Sequence, residues 1–150
     1  MIIVVAAVIE RGDRRILIGQ RRRADTSALK WEFPGGKLRA EERPEEGLAR
    51  ELREELGAEL QSCVEIGRVR HAYVGGCDRL EIRFFAAEIA ETEIQPRCFE
   101  EIAWVLPEEL GDYDFLDANR ELIAQIATGK VKPGEVLRDA KSSDSLKVKN

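Results

Sequence analysis

The stretch FPGGKLRAEERPEEGLARELREELGA, Phe33 to Ala58, carries seven glutamates and three arginines between Glu41 and Glu55, a local charge of 3 − 7 = −4 in a chain of net charge −5. It follows a Pro-Gly-Gly turn, and its signals predict a helix over Pro44 to Leu56. Proline opens the segment, Glu45 and Glu46 occupy the first turn where the helix dipole favours anions, and Gly57 stops it. Glu51, Glu54 and Glu55 are spaced i, i+3, i+4, which sets three carboxylates on one face. Leu48, Leu52 and Leu56 line a neighbouring stripe that can pack on a sheet. Like charges at these spacings cost a few tenths of a kcal/mol per pair. A hard divalent cation reverses that sign, and oxygen ligands in this number suit Mg²⁺ or Mn²⁺ shared with substrate phosphates. The plain alternative is a solvated acidic face.

Outward from this helix, the pattern is that of one domain with a mixed α/β (α+β) architecture. At 150 residues the chain is long enough to bury roughly two-thirds of its unfolded surface. Ile2 to Ile9 and Arg15 to Gly19 read as strands joined in a hairpin about Gly12-Asp13, and Trp31 to Phe33 as a short strand. Strand-like runs follow at Val64 to Ala72, Arg79 to Ile89 and Ile102 to Val105, the middle one alternating Leu80, Ile82 and Phe84 with Arg79, Glu81 and Arg83. Leu122, Ile123 and Ile126 predict a second helix over Asn119 to Ala127. Residues 1–129 are thus expected to form the single domain, and the Lys/Ser-rich residues 130–150 a partly disordered polar tail.

The pI near 5.1 gives no basic face for a nucleic-acid polymer. Ile2 to Ile9 is too short to span a bilayer and lacks a basic leader, so no membrane association and a cytoplasmic location are expected. Cys63, Cys77 and Cys98 show no metal spacing and are expected as reduced core thiols.

Gly36, five residues, Glu42, seven residues, then RELREELG from Arg50 to Gly57 resembles the signature box of the Nudix hydrolases, Ala58 being its one departure. The similarity runs from the first strand to about Ile126. It implies an α/β/α sandwich around a mixed β-sheet, with the box as a loop-helix-loop. Position by position, it implies metal ligands at Glu51, Glu54 and Glu55, the Gly35 carbonyl as another, Arg50 orienting a glutamate, and Glu42 pairing with Arg50 or joining a further metal. Glu41 and Arg43 stand where relatives often have a glycine and a Ser/Thr cap, and Gly47 where alanine is commoner.

The family's chemistry is water attack on a phosphorus of a nucleoside diphosphate linked to another group, with Mg²⁺ (Mn²⁺ substituting) as cofactor. In many relatives the general base is a glutamate on a loop after the box, which implies Glu101, next to Glu100 before the last strand, with Glu54 as the alternative. WEFPGGK, Trp31 to Lys37, resembles the MutT-type branch, which cleaves nucleoside triphosphates to the monophosphate and pyrophosphate. That likeness implies substrate contacts at Arg21 (or Arg22 or Arg23), Lys37, Phe33, Phe84 and Asn119, the last in FLDANRELI, where it can read a base or cap the helix. His71 has no partner at ligand spacing and no assigned role. The substrate expected is a small nucleotide, 8-oxo-dGTP first and CTP or dCTP as the alternative. A non-catalytic nucleotide-binding domain is the reading from another class, and the chain is expected as a monomer or homodimer.

Overall fold

The computed structural model describes residues 1–72, 79–91 and 93–149. Among these residues seven strands form two sheets. In the first, β1 (Ile2–Ile9) pairs antiparallel with β4 (Gly35–Lys37) and parallel with β6 (Arg79–Ile89), and β6 pairs antiparallel with β5 (Leu60–Ala72). In the second, β2 (Ile16–Gln20) lies antiparallel between β3 (Trp31–Glu32) and β7 (Glu101–Val105). Helices α1 (Pro44–Leu56), α2 (Arg120–Ala127) and α3 (Pro133–Lys149) complete the fold, with 3-10 turns at Pro107–Asp112 and Asp117–Asn119.

β1 is apolar at every position because helices cover both faces of its sheet, as a parallel pairing requires. Its residues sort by parity: Val5 and Ala7 join Phe85, Ala87, Leu17 and the α1 leucines in one cluster, while Ala6 and Val8 join Leu80, Ile82, Phe84 and the α2 residues Leu122, Ile123 and Ile126 in the other. The result is the expected sandwich, α1 on one face of a mixed sheet and α2 on the opposite face. Leu48, Leu52 and Leu56 are completely buried, which contributes roughly 2 kcal/mol each. Gly57 ends α1 at φ 67°, the left-handed conformation only glycine adopts freely.

Three expectations need correction. The β1–β2 hairpin is reduced to a Glu10–Ile16 bridge and one Arg11 N–H to Arg15 carbonyl bond of 2.9 Å. Both edges of β1 are already taken by β4 and β6, so β2 joins the other sheet. The tail beyond Gly129, expected to be partly disordered, contains α3: Pro133 opens it, Leu137 is buried, and Lys141 pairs with Glu88 at 2.9 Å. Of the two described cysteines neither is fully buried: Cys63 packs half-buried against the α1-side core, with burial pushing its thiol up to about 11, and Cys98 is exposed. Cys77 lies outside the described residues. Among the described residues no helix is long and apolar enough to cross a membrane.

Candidate active site

The acidic face of α1 is packed against the Pro34-Gly35-Gly36 turn that leads into β4. The Gly35 N–H donates to Glu55 Oε1 at 2.7 Å, and the Glu51 carboxyl group lies so close to Gly36 that a Cβ there would stand 2.4 Å from its carbon. A glycine at 36 is therefore a condition for seating Glu51. Helical spacing and this close approach together bring Glu51 and Glu55 to the same backbone turn.

Arg50 is the hub of the site. It donates from Nε and Nη2 to the two oxygens of Glu42 (2.8 and 2.9 Å), from Nη1 to Glu51 Oε1 (2.8 Å) and Glu54 Oε2 (3.4 Å), and from Nη2 to the Lys37 carbonyl (3.1 Å). The planar fork matches the Glu42 carboxylate with two parallel bonds, which fixes its orientation. Arg50, Glu42 and Glu51 are largely enclosed, whereas half of the Glu54 side chain faces solvent. Glu54 also approaches Arg39 at 3.7 Å.

The surroundings separate the carboxyl groups electrostatically. Arg50, helped by the Arg39 N–H, holds Glu42 down to about 2. Burial pushes Glu55 up to about 8, against the favourable Gly35 N–H, and the charges of Glu32, Glu51 and Glu54 push the same way. A buried carboxyl group that holds its proton near neutral pH beside three other acidic groups is the donor chemistry a divalent cation relieves. Among the described residues no three such side chains converge enough to enclose an ion by themselves. Mg²⁺ does not require a full protein cage, since it keeps waters and takes phosphate oxygens.

Glu32 was not singled out from sequence. It sits on β3 opposite Gly19, largely buried, and burial raises its pKa against the opposing pull of Arg21. Its signal was alternation: between the buried Trp31 and Phe33, a glutamate facing the other way beside the box turn.

The other expected residues are distributed unevenly. Arg21 is turned to Glu32 (3.1 Å) and to the Thr26 carbonyl (2.7 Å), so it ties down its own loop instead of standing free for a nucleotide. Arg22 donates to the Arg97 carbonyl, and Arg23 approaches Glu100 at 3.7 Å. Lys37 is exposed at the end of β4. Phe33 and Phe84 meet edge to face at 6.1 Å, and both are buried, so these rings belong to the core behind the site. Glu101 opens β7 opposite Gln20, exposed, and no hydrogen bond or ion pair joins it to α1 among the described residues. Asn119 is 4% exposed, and its side chain makes no capping bond to α2. A groove of about 710 Å³ lies away from all of these, between the β1–β2 turn, the end of β6 and Trp104. None of the α1 carboxylates lines that groove.

The chain is similar to known proteins over most of its length. Residues 2–126 match the NUDIX domain model. A Mycobacterium tuberculosis protein provisionally named 8-oxo-dGTP diphosphatase 2 is 38% identical over 126 residues, covering 83% of this chain and 87% of that one. The CTP pyrophosphohydrolase of Escherichia coli is 33% identical over 138 residues, covering 90% and 98%. Among solved structures, a MutT protein from Methanosarcina mazei Go1 superposes with a TM-score of 0.73 at 26% identity, covering 87% of this chain and 96% of that one.

Proposed function

Because the chain belongs to the Nudix family of hydrolases, we propose that it cleaves nucleoside triphosphates to the monophosphate and pyrophosphate, with 8-oxo-dGTP as its substrate. The observation that carries this is the Glu51, Glu54 and Glu55 face seated on the Gly35-Gly36 backbone and organised by Arg50. Glu51, Glu54 and Glu55, with Glu42 and the Gly35 carbonyl, would hold Mg²⁺ or Mn²⁺. A cation held by these residues would supply charge to neutralise phosphoryl oxygens and to acidify a water.

The chain's own groups do the remainder. Arg50 locks Glu51 and Glu42 in place, so little reorganisation is left for the moment of reaction. The oxygen of the attacking water bonds to phosphorus, the bond from phosphorus to the leaving phosphate oxygen breaks, and a carboxylate takes the water's proton. For that carboxylate the geometry favours Glu54, half-exposed and loosely held, over Glu101. Lys37 is free to meet a phosphate, and the uncapped Asn119 amide to donate to and accept from a base edge. The free Cys63 and Cys98 fit a cytoplasmic location.

The test is turnover on a panel of 8-oxo-dGTP, dGTP, CTP, dCTP, a sugar nucleotide and a dinucleoside polyphosphate with Mg²⁺. Preference for 8-oxo-dGTP is the expected result. Preference for CTP or dCTP would favour the second reading, which the near full-length similarity to the Escherichia coli CTP pyrophosphohydrolase supports. Preference for either of the last two substrates would sink both.

A further inference from the structure

The turn that delivers Asn119 is shaped by the residue that follows it. Arg120, first in α2, donates from Nε to Asp117 Oδ1 (3.0 Å) and from Nη2 to Asp114 Oδ1 (3.3 Å) and the Phe115 carbonyl (3.2 Å). One guanidinium thereby gathers three points of the 114–117 strap. Both oxygens of Asp114 also accept from Lys30 Nζ, each at 2.9 Å.

The main chain fastens the strap's upper part to β3, through Trp31 N–H to the Asp114 carbonyl (2.9 Å) and Leu116 N–H to the Trp31 carbonyl (3.1 Å). Phe115 is buried against Phe33, with ring centroids 5.7 Å apart. Below Leu116 the main chain continues as the 3-10 turn, with the Asn119 N–H donating to the Leu116 carbonyl at 3.0 Å and the Arg120 N–H to the Asp117 carbonyl. There the Arg120 to Asp117 side-chain contact adds a tie to the turn that these two main-chain bonds form.

As a stability device this cluster is poor, since Arg120, Asp114 and Asp117 are more than half exposed and exposed pairs contribute little. As a positioning device it is well made. A guanidinium presents its donors in a fixed plane, so satisfying a carbonyl and two carboxylates at once allows few conformations of the turn. The buried, uncapped Asn119 amide is the group whose position this turn determines.

We propose that Arg120 is a positioning residue for base selectivity: through Asp114, the Phe115 carbonyl and Asp117 it fixes where the Asn119 amide stands. This rests on Asn119 as the base contact proposed above. Kinetic constants of the wild type, Arg120→Ala, Arg120→Lys, Asn119→Ala and the double variant are compared on 8-oxo-dGTP, dGTP and CTP with Mg²⁺. Arg120→Ala is expected to raise KM for the preferred nucleotide about ten-fold, to change kcat less than about two-fold, and to narrow the preference. Arg120→Lys falls between, because an ammonium cannot reproduce the fork. The double variant is no worse than Asn119→Ala alone, since both act through one amide.

An unchanged preference in Arg120→Ala, or effects of the two substitutions that add in full, overturns the proposal. Absence of triphosphate turnover in the wild type would instead fell the substrate assignment and this inference with it, a result read on the unsubstituted chain. Thermal melts report folding, and should Arg120→Ala fail to fold, Arg120→Lys and Asp114→Asn carry the same comparison.

Discussion

The acidic face of α1 and the strap that ends in Asn119 are built in opposite ways. The first is local: one helix supplies three carboxylates and the arginine that organises them, and they lean on a nearby glycine turn. The second is assembled from β3, the 114–117 strap and the start of α2, through bonds that span up to 84 residues of sequence. Catalytic machinery common to many substrates can be written into one helix. Selectivity depends on where separate segments meet, so it can change while the helix stays the same.

The largest effect that distinguishes the two halves is expected at Glu54. Glu54→Gln removes a charge but keeps shape, on a side chain already half in solvent, so the melting temperature should stay nearly constant while kcat falls about a thousand-fold on every nucleotide alike. Uniformity is the diagnostic, and it contrasts with the selective loss expected at Asn119 and Arg120. Near-normal turnover by Glu54→Gln would refute the metal-site assignment.

Next in size is a packing effect beneath the same helix. Leu52 is completely buried under α1, and Leu52→Ala is expected to cost about 3 kcal/mol in denaturant unfolding. If the acidic face is as local as it looks, the folded fraction of this variant keeps its nucleotide preference. An altered preference at unchanged folding would show that the two halves are coupled through the core.

The same contrast explains what was legible in the sequence. The bounds of α1, its buried leucines, and the facing of Glu51, Glu54 and Glu55 follow from a 3.6-residue period and local stop signals, so Pro44 to Leu56 is observed as expected. β6 was equally plain, because its alternation is local. The partner of β2 was not, since pairing depends on which edges of β1 other strands have taken. Glu32 escaped notice because its burial comes from the surrounding fold, and the pairing of Arg21 with Glu32 was hidden for the same reason. α3 shows too few apolar residues to announce itself, and its support is the sheet beneath.

A smaller effect tests the electrostatics of the helix face. Glu55 is pushed up to about 8 in the folded chain, above its ordinary 4.5. A group with a raised folded pKa stabilises below the unfolded value and loses that contribution as pH climbs through the folded one. The window is therefore about pH 4.5 to 8. Without metal, stability should decline across it. Since a ligating carboxylate must shed its proton, the rise in melting temperature produced by Mg²⁺ should be small near pH 6 and larger near pH 9. Melts with and without Mg²⁺ decide this, and an increment independent of pH would count against Glu55 as a ligand. Glu55→Gln should abolish the trend.

The smallest effect concerns the entry to α1, where local encoding is imperfect. Glu41 has φ 67°, a left-handed conformation that costs an ordinary residue about 1 kcal/mol or more. It is exposed and adjoins Glu42, whose charge Arg50 and the Arg39 N–H already stabilise. Replacement by glycine relieves the backbone, removes a neighbouring like charge, and gives back part of the gain through the greater freedom of the unfolded chain. Glu41→Gly should therefore stabilise by about 0.5 kcal/mol, near 1 °C to 2 °C in a melt of a chain this size. kcat and nucleotide preference should stay unchanged, because residue 41 belongs to neither half of the site. A lower melting temperature would mean that the Glu41 side chain supports the Arg39 to Glu42 turn in a way its conformation alone does not reveal.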